Sequence, residues 1–147
     1  DIINGVTYIN DSKSTNFHSV SEASKRVNNG LLILHGLTKQ ISGRSLNISM
    51  ENIGLVLLPK NMKIDLNRID SFEKKYYENI FDLENEILKC LEHWKKSKAQ
   101  NTGKNSNICK TVLFSCGGAS FNDFKNYEER GNFFKKIVSN IKEGLND

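Results

Sequence analysis

Long hydrophobic runs are missing from this sequence. The longest uninterrupted apolar stretches are Leu31 to Leu34 and Leu55 to Leu58, far below the roughly 18 residues that a membrane-spanning helix needs. The first residues also lack the basic segment and the apolar segment of a secretory signal. We therefore expect neither a transmembrane helix nor a secretion signal in this chain.

Cysteine and histidine are scarce, with three residues of each type. Cys90, Cys109 and Cys116 are odd in number and lack C-x-x-C spacing, which argues against a disulfide framework and against a zinc knuckle. A reducing cytoplasm is the simpler location for such a protein. The histidines lie far apart and form no H-E-x-x-H pattern, so they predict no metal site.

The excess of one charge sign is also small, since 21 basic and 17 acidic side chains leave a net charge of +4. This charge permits nucleic-acid binding but does not call for it. A length of 147 residues with 37% hydrophobic side chains is typical of one globular domain with its own core.

Hydrophobic periodicity predicts strands and helices in alternation. Continuously apolar, β-branched or aromatic stretches indicate strands, and apolar residues spaced by three and four indicate helices. The predicted strands are 6–8, 31–34, 54–59 and 111–114, and the predicted helices are 16–28, 46–51, 67–76, 83–94 and 124–141. Asp82 is expected to cap the helix that follows it. This order predicts an α/β layered domain with a parallel sheet.

Two polar segments between these elements, 36–45 and 97–107, are predicted to be loops. The second segment is read as an exposed loop inside the domain rather than as a domain boundary, because the strand after it needs partners in the same sheet.

Polar turns follow the first and last predicted strands, at 10–16 and 115–120. Ligands bind at the carboxyl ends of strands in open α/β sheets, so these turns are the predicted site. The first turn offers Lys13 and several hydroxyl groups beside a helix N-terminus, where a carboxylate or phosphate is favoured. In the second turn, Gly117 and Gly118 let the backbone approach an anion closely, or they only tighten the turn.

Structural explanations compete with these functional ones. Capping of the next helix accounts for Ser14, Thr15 and Asn16, and an isolated Lys13 is most simply a solvated surface lysine. The run Glu128, Glu129, Arg130 is interpreted as an exposed helical face. The glycines of a Walker A loop do not precede Lys13, and no G-x-S-x-G elbow surrounds Ser120, so neither motif is assigned.

Two long motifs resemble one enzyme family. Residues 5–16, GVTYINDSKSTN, resemble the opening of the C-terminal domain of the Mur ligases that add D-glutamate. Residues 119–131, ASFNDFKNYEERG, resemble the A-S-F-D-x-F-K-N-F/Y-E-x-R-G signature of the same family. The two motifs stand in the family's order, one domain length apart, so the resemblance covers the whole chain.

The chain departs from the family pattern in two places. His35 and Gly36 stand where the family usually has a Gly-Gly pair, followed in this chain by Leu37, Thr38 and Lys39. Residues 115–120 read SCGGAS where the family usually has S-P-A-x-A-S. Both departures lie near the expected ligand.

The resemblance implies a Rossmann-like three-layer α/β domain, with a mostly parallel sheet of about six strands and helices on both faces. Residues 1–147 would be the amino-acid-binding C-terminal domain, without the UDP-binding and central ATPase domains of the family. By resemblance, the intact enzyme uses ATP and Mg²⁺ to convert the carboxylate of UDP-N-acetylmuramoyl-L-alanine into an acyl phosphate, which the amine of D-glutamate attacks. Alone, the domain is expected to be inactive and monomeric.

The resemblance also implies a location, a process and a set of site residues. The location is the cytoplasm of a bacterium, and the process is peptidoglycan synthesis, with it cell shape and division. Binding of D-glutamate is implied for Lys13, Thr15, Lys39, Ser120, Phe121 and Tyr127. Asp11 matches a residue that faces the nucleotide, and Asn16, Gly117 and Gly118 are expected to shape the turns. No metal ligand is expected in this domain.

Two alternatives stay open. A noncatalytic Rossmann-like module that binds nucleic acid would need a basic face with aromatic platforms, and no aromatic residue is interleaved among Lys95, Lys96, Lys98 and Lys104. A Mur or folate-type ligase domain with another amino-acid specificity would carry a D-x-A-H-x-P type motif at residues 11–16. We expect neither a nucleic acid nor a membrane as a partner.

Overall fold

Strands and helices alternate along the chain and form one layered domain. The structure is a computed structural model that describes residues 1–36, 46–62, 72–99, 109–120 and 123–145. The strands in these residues are β1 (Ile2–Ile3), β2 (Val6–Asp11), β3 (Gly30–His35), β4 (Ile53–Pro59), β5 (Glu73–Tyr77) and β6 (Thr111–Gly117). The α-helices are α1 (Phe17–Ser24), α2 (Leu83–Ala99) and α3 (Tyr127–Gly144).

The six strands form one sheet in the order β1-β2-β6-β3-β4-β5. The short β1 runs antiparallel to β2, and all other neighbours are parallel. The last strand, β6, is inserted between β2 and β3. The predicted α/β architecture, with a mostly parallel sheet of about six strands, is confirmed.

Helices cover both faces of the sheet. Phe17 and Val20 of α1 pack in one apolar cluster with Leu32 and Leu34 of β3. The alternate residues of the same strand point to the other face, where they pack against side chains of α2 and α3, among them Ile87, Trp94, Phe134 and Ile137. Because both faces are covered, the central strands are continuously apolar instead of alternating.

One predicted helix, 46–51, is wrong. Residues 46–49 have no regular structure and a turn follows them, with Leu46 fully buried. The Asn47 amide donates to Ser21 Oγ at 3.2 Å, and the Glu51 amide donates to Ser49 Oγ at 3.2 Å. Serine and asparagine side chains compete in this way with the backbone bonds of a helix.

The predicted helix at 67–76 is also wrong over its described part. Residues 63–71 lie outside the described residues, and Glu73–Tyr77 form the edge strand β5. Only Tyr77 of this strand is buried, so the apolar alternation that marks a strand is absent. Charged side chains on an edge strand discourage pairing with other chains, which explains its polar sequence.

Several element boundaries also differ from the prediction. The segment expected to be the second polar turn belongs to β6 as far as Gly117. Helix α2 follows a 3-10 turn at Ile80–Asp82 that Asn79 caps by accepting the Phe81 amide at 2.9 Å, so Asp82 is not the N-cap. Helix α2 continues to Ala99, which corrects the start of the predicted loop at 97–107. Residues 37–45 and 100–108, which contain most of both predicted loops, lie outside the described residues.

None of the described helices is long and apolar enough to cross a membrane.

The glycine of β4 allows helix α2 to pack closely on the sheet. A Cβ atom at Gly54 would lie 2.6 Å from Cη2 of Trp94, and the indole of Trp94 is 5% exposed. The indole therefore occupies the space that a side chain at position 54 would fill.

We expect Gly54→Ala to lower the free energy of unfolding by about 1–3 kcal/mol, because the added methyl group overpacks this contact. Trp94 is the single tryptophan of the chain, so its fluorescence during urea unfolding reports the stability and the change in its surroundings. Gly144→Ala is the control, since a Cβ there would meet nothing within 4 Å. Equal midpoints for Gly54→Ala and the unchanged chain would contradict this packing.

Candidate functional site

The carboxyl ends of the parallel strands meet along one edge of the sheet. In the strand register, Asp11 of β2 pairs with Ser115 of β6, and His35 of β3 pairs with Gly117. The turn after β2 therefore lies beside the end of β6, as the sequence predicted for the two polar turns. This edge is the candidate site.

Hydrogen bonds join the turn after β2 to the end of β6. Asp11 Oδ2 accepts hydrogen bonds from the hydroxyl groups of Ser14 and Ser115, the latter at 2.8 Å. The Gly117 amide donates to the Ser14 carbonyl at 2.8 Å. The turn that carries Lys13 is thus held in a fixed position beside β6.

A buried arginine lies beneath this edge. Arg130, in the first turn of α3, is 0% exposed. Its Nε donates to Ser12 Oγ at 3.0 Å, and its Nη2 donates to the Ser12 carbonyl at 2.8 Å. Its Nη1 donates to the Gly118 carbonyl at 2.8 Å and also contacts His35. One guanidinium group therefore holds the ends of β2, β3 and β6 together.

Among the described residues, the partners of this guanidinium are hydroxyl, carbonyl and imidazole groups, and none of them is a carboxylate. Burial is the main factor that lowers the pKa of Arg130. A guanidinium nevertheless stays protonated at neutral pH, so a positive charge lies directly under the candidate site.

The interpretation of Arg130 as part of an exposed helical face is wrong, whereas Glu128 and Glu129 are exposed as predicted. The sequence contains a signal for its burial, because Arg130, Phe134, Ile137 and Ile141 are spaced as one helical face and all four are buried. Because Arg130 directly follows Glu128 and Glu129, the three residues together resemble an exposed charged face. The residues that Arg130 contacts, Ser12, His35 and Gly118, carry no sequence signal that would identify them as its partners.

His35 connects the same guanidinium to a carboxylate. Its Nδ1 lies 3.2 Å from Nη1 of Arg130, and its Nε2 lies 2.8 Å from Oδ2 of Asp123. Burial is the largest cause of the lowered pKa of His35, and the Arg130 charge adds to it, whereas the hydrogen bond to Asp123 acts in the opposite direction. The ring is therefore neutral at pH 7.

The structure brings several of the predicted binding residues to this edge. Lys13 and Thr15 are exposed in the turn after β2, and Ser120 is buried in the segment after β6. Tyr127, at the start of α3, is 39% exposed, and its carbonyl accepts a hydrogen bond from Ser12 Oγ at 2.7 Å. Lys39 and Phe121 lie outside the described residues.

The residues expected to shape the turns have defined partners. Asn16 caps α1, since its side chain accepts the Ser19 amide at 2.9 Å. Gly117 has a positive φ of 76°, and a Cβ there would lie 2.9 Å from the ring of Phe17. Because the Gly117 amide bonds to Ser14 and the Gly118 carbonyl bonds to Arg130, both glycines take part in joining the turns.

A cleft of about 400 Å³ opens at the same edge, beside the ends of β3, β4 and β5. Its lining includes His35, Pro59, Tyr77, Phe81 and Asp123. Clefts of this size accommodate small molecules.

The cysteine thiols do not contribute a nucleophile to this edge. Cys90, Cys109 and Cys116 are all buried and free, and burial raises the pKa of Cys116 to about 12. In the described ranges, no group of three histidine, cysteine, aspartate or glutamate residues could hold a metal ion.

Comparisons with known proteins relate the chain to one group of enzymes. No family model matches it. The UDP-N-acetylmuramoylalanine–D-glutamate ligase of Thermosipho africanus is 32% identical over 97% of this chain. The ligases of the same name from Leptospira borgpetersenii and Prochlorococcus marinus are 31% and 32% identical over 93% and 92% of it. The chain spans only 31%, 32% and 28% of the length of these three relatives.

We expect Arg130→Gln to lower the free energy of unfolding by at least about 3 kcal/mol, because hydrogen bonds from a charged donor to three turns are lost. Urea unfolding of the 147-residue chain measures the change. Lys136→Gln, which removes an exposed cation from the same helix, is the matched control and should have little effect. Similar losses in the two variants would show that Arg130 does not hold the turns together.

Proposed function

We propose that this chain, which belongs to the UDP-N-acetylmuramoylalanine–D-glutamate ligase family, is the C-terminal, amino-acid-binding domain of such a ligase. Its span of about 30% of the relatives' length suits one domain of a three-domain enzyme. The UDP-binding domain and the central ATPase domain would be supplied by the rest of that enzyme. The isolated domain would then be inactive.

The proposed reaction forms an amide bond at the expense of ATP. The terminal carboxylate of UDP-N-acetylmuramoyl-L-alanine takes the γ-phosphoryl group of ATP and becomes an acyl phosphate, and ADP leaves. The amine of D-glutamate attacks the acyl carbon and loses a proton, the amide bond forms, and inorganic phosphate leaves. Mg²⁺ would assist phosphoryl transfer from the other domains, since no cluster of three metal-ligating side chains occurs in the described part of this chain.

The proposal for this domain rests on which charged groups in and beneath the two turns already have hydrogen-bond partners. Arg130, Asp11 and Asp123 are all hydrogen-bonded within the protein. No hydrogen bond or ion pair of the Lys13 ammonium occurs within the described residues, and the side chain is exposed. D-glutamate carries two carboxylates, so it needs a cation that is free to bind one of them.

The surroundings of Lys13 support a positioning role. Ser12 is bonded to Arg130 and Tyr127, and Ser14 is bonded to Asp11 and Gly117. The residues on either side of Lys13 are thus held by hydrogen bonds, while the Lys13 side chain is exposed and has no partner among the described residues. A lysine on such a fixed turn would hold the substrate amine in line with the acyl phosphate, which lowers the entropic part of the barrier.

The remaining assignments follow from the resemblance. Thr15, Ser120 and Tyr127 would contact D-glutamate, together with Lys39 and Phe121. Asp11 would face the nucleotide, with one carboxylate oxygen already held by two hydroxyl groups. The domain would work as part of a monomeric enzyme of peptidoglycan synthesis in the bacterial cytoplasm.

We expect Lys13→Ala, in the complete ligase that carries this domain, to raise the KM for D-glutamate by roughly 10- to 100-fold, since one charge-assisted hydrogen bond is lost. The KM for ATP should change little. Steady-state kinetics with each substrate varied in turn measure both values. Lys25→Ala is the control, because Lys25 is an exposed lysine at the C-cap of α1 that pairs with Glu22. Equal increases in both KM values would refute the assignment of Lys13 to D-glutamate.

A further inference from the structure

The hydrogen bonds around His35 define which of its ring nitrogens carries a proton. A guanidinium group can only donate hydrogen bonds, so Nδ1 of His35, which faces Nη1 of Arg130 at 3.2 Å, must be the unprotonated nitrogen. A neutral imidazole then carries its proton on Nε2. That N–H donates to Oδ2 of Asp123 at 2.8 Å.

This arrangement connects a buried cation to a carboxylate through one neutral ring. The ring of His35 is 3% exposed, and Arg130 is 0% exposed. The Asp123 side chain is 43% exposed, at the mouth of the cleft. Asp123 lies in the segment that leads from β6 into α3, between Ser120 and Tyr127.

We propose that His35 is a positioning residue that works only as the neutral tautomer protonated on Nε2. In this form it joins Asp123, which precedes α3, to Arg130. Protonation of Nδ1 would place two donors against each other, so acid would break this link between Asp123 and Arg130. The coupling itself does not depend on what the edge binds. Its consequence for D-glutamate, the displacement of Ser120, rests on the proposed function.

The other titratable groups near His35 keep their charge state around neutral pH. From β6, Cys116 is buried and its pKa is raised to about 12. From β5, Tyr77 donates to the Leu34 carbonyl at 2.6 Å, and burial raises its pKa strongly. Across the cleft, the carboxylate of Glu78 pairs with Lys60 at 2.6 Å. The ring of Phe124 packs edge-on against the imidazole at 5.5 Å.

The direction of the pH dependence follows from the lowered pKa of His35. The unfolded chain, with a histidine pKa of about 6.5, takes up the proton at a higher pH than the folded chain does. The stability that comes from neutral His35 is therefore fully present above about pH 6.5 and is lost as the pH falls below that value.

The test is an NMR titration of the 147-residue chain, labelled with ¹⁵N, from about pH 8 to about pH 5. At the upper end, the His35 ring should be protonated on Nε2 and unprotonated on Nδ1. On acidification, the amides of Ser12, Gly118 and Asp123 should shift with one common midpoint below pH 6.5, the ordinary histidine value.

Two variants separate this coupling from a general effect of acid. Asp123→Asn keeps an oxygen that accepts from Nε2–H but removes the charge that raises the pKa of His35, so the midpoint should move to lower pH. His35→Gln offers a carbonyl to Arg130 and an amide N–H to Asp123 and does not titrate, so the common transition should disappear. His18→Gln, an exposed position on α1, is the control and should leave the transition unchanged.

Four results would overturn the proposal. They are a proton on Nδ1 at neutral pH, a midpoint at or above 6.5, amides of Ser12, Gly118 and Asp123 that do not share it, and a common transition that persists in His35→Gln. If His35→Gln does not fold, the midpoint of the titration in Asp123→Asn tests the proposal, which requires a lower value than in the unchanged chain. An unchanged or higher midpoint in that variant would equally contradict the coupling. Because no ligand is used, failure here would leave the assignment of Lys13 untouched.

Discussion

The hydrogen bonds of Arg130 are the interaction on which the candidate site depends. Removing a guanidinium group from water costs several kcal/mol, and this cost is offset only when its donors find acceptors. Here those acceptors are Ser12, His35 and Gly118, at the ends of three strands. If the end of any one of these strands moved away, a buried donor of Arg130 would be left unpaired, so the guanidinium group links the ends of the three strands.

The sheet could be predicted because its central strands are buried on both faces. Continuous apolar runs in β3 and β4 can only lie in the interior, and the regular apolar spacing of α2 can only form a helix. The edge strand β5 and the segment at 46–51 lack such patterns. Their conformations depend on tertiary contacts, such as the pairing of β5 with β4 and the bond from Asn47 to Ser21, which no local pattern encodes.

The adjacency of the two polar turns could be predicted from the sequence, but the group that holds them together could not. Polar turns after parallel strands lie at the same edge of the sheet, and the turn after β2 does lie beside the end of β6. Arg130 follows two exposed glutamates and resembles them in polarity. Its burial becomes evident only from partners 118, 95 and 12 residues away in sequence.

Arg130 and Lys13 differ in what they can do at this edge of the sheet. Arg130 is fully buried, so it cannot reach a ligand and serves only to position the turns. Lys13 is exposed, and no ion pair occupies it among the described residues. A lysine already held by a carboxylate would have to break that pair before it could bind a ligand, and the gain would be correspondingly small. Because Arg130 holds the turn from below, Lys13 stays exposed, with no ion pair among the described residues.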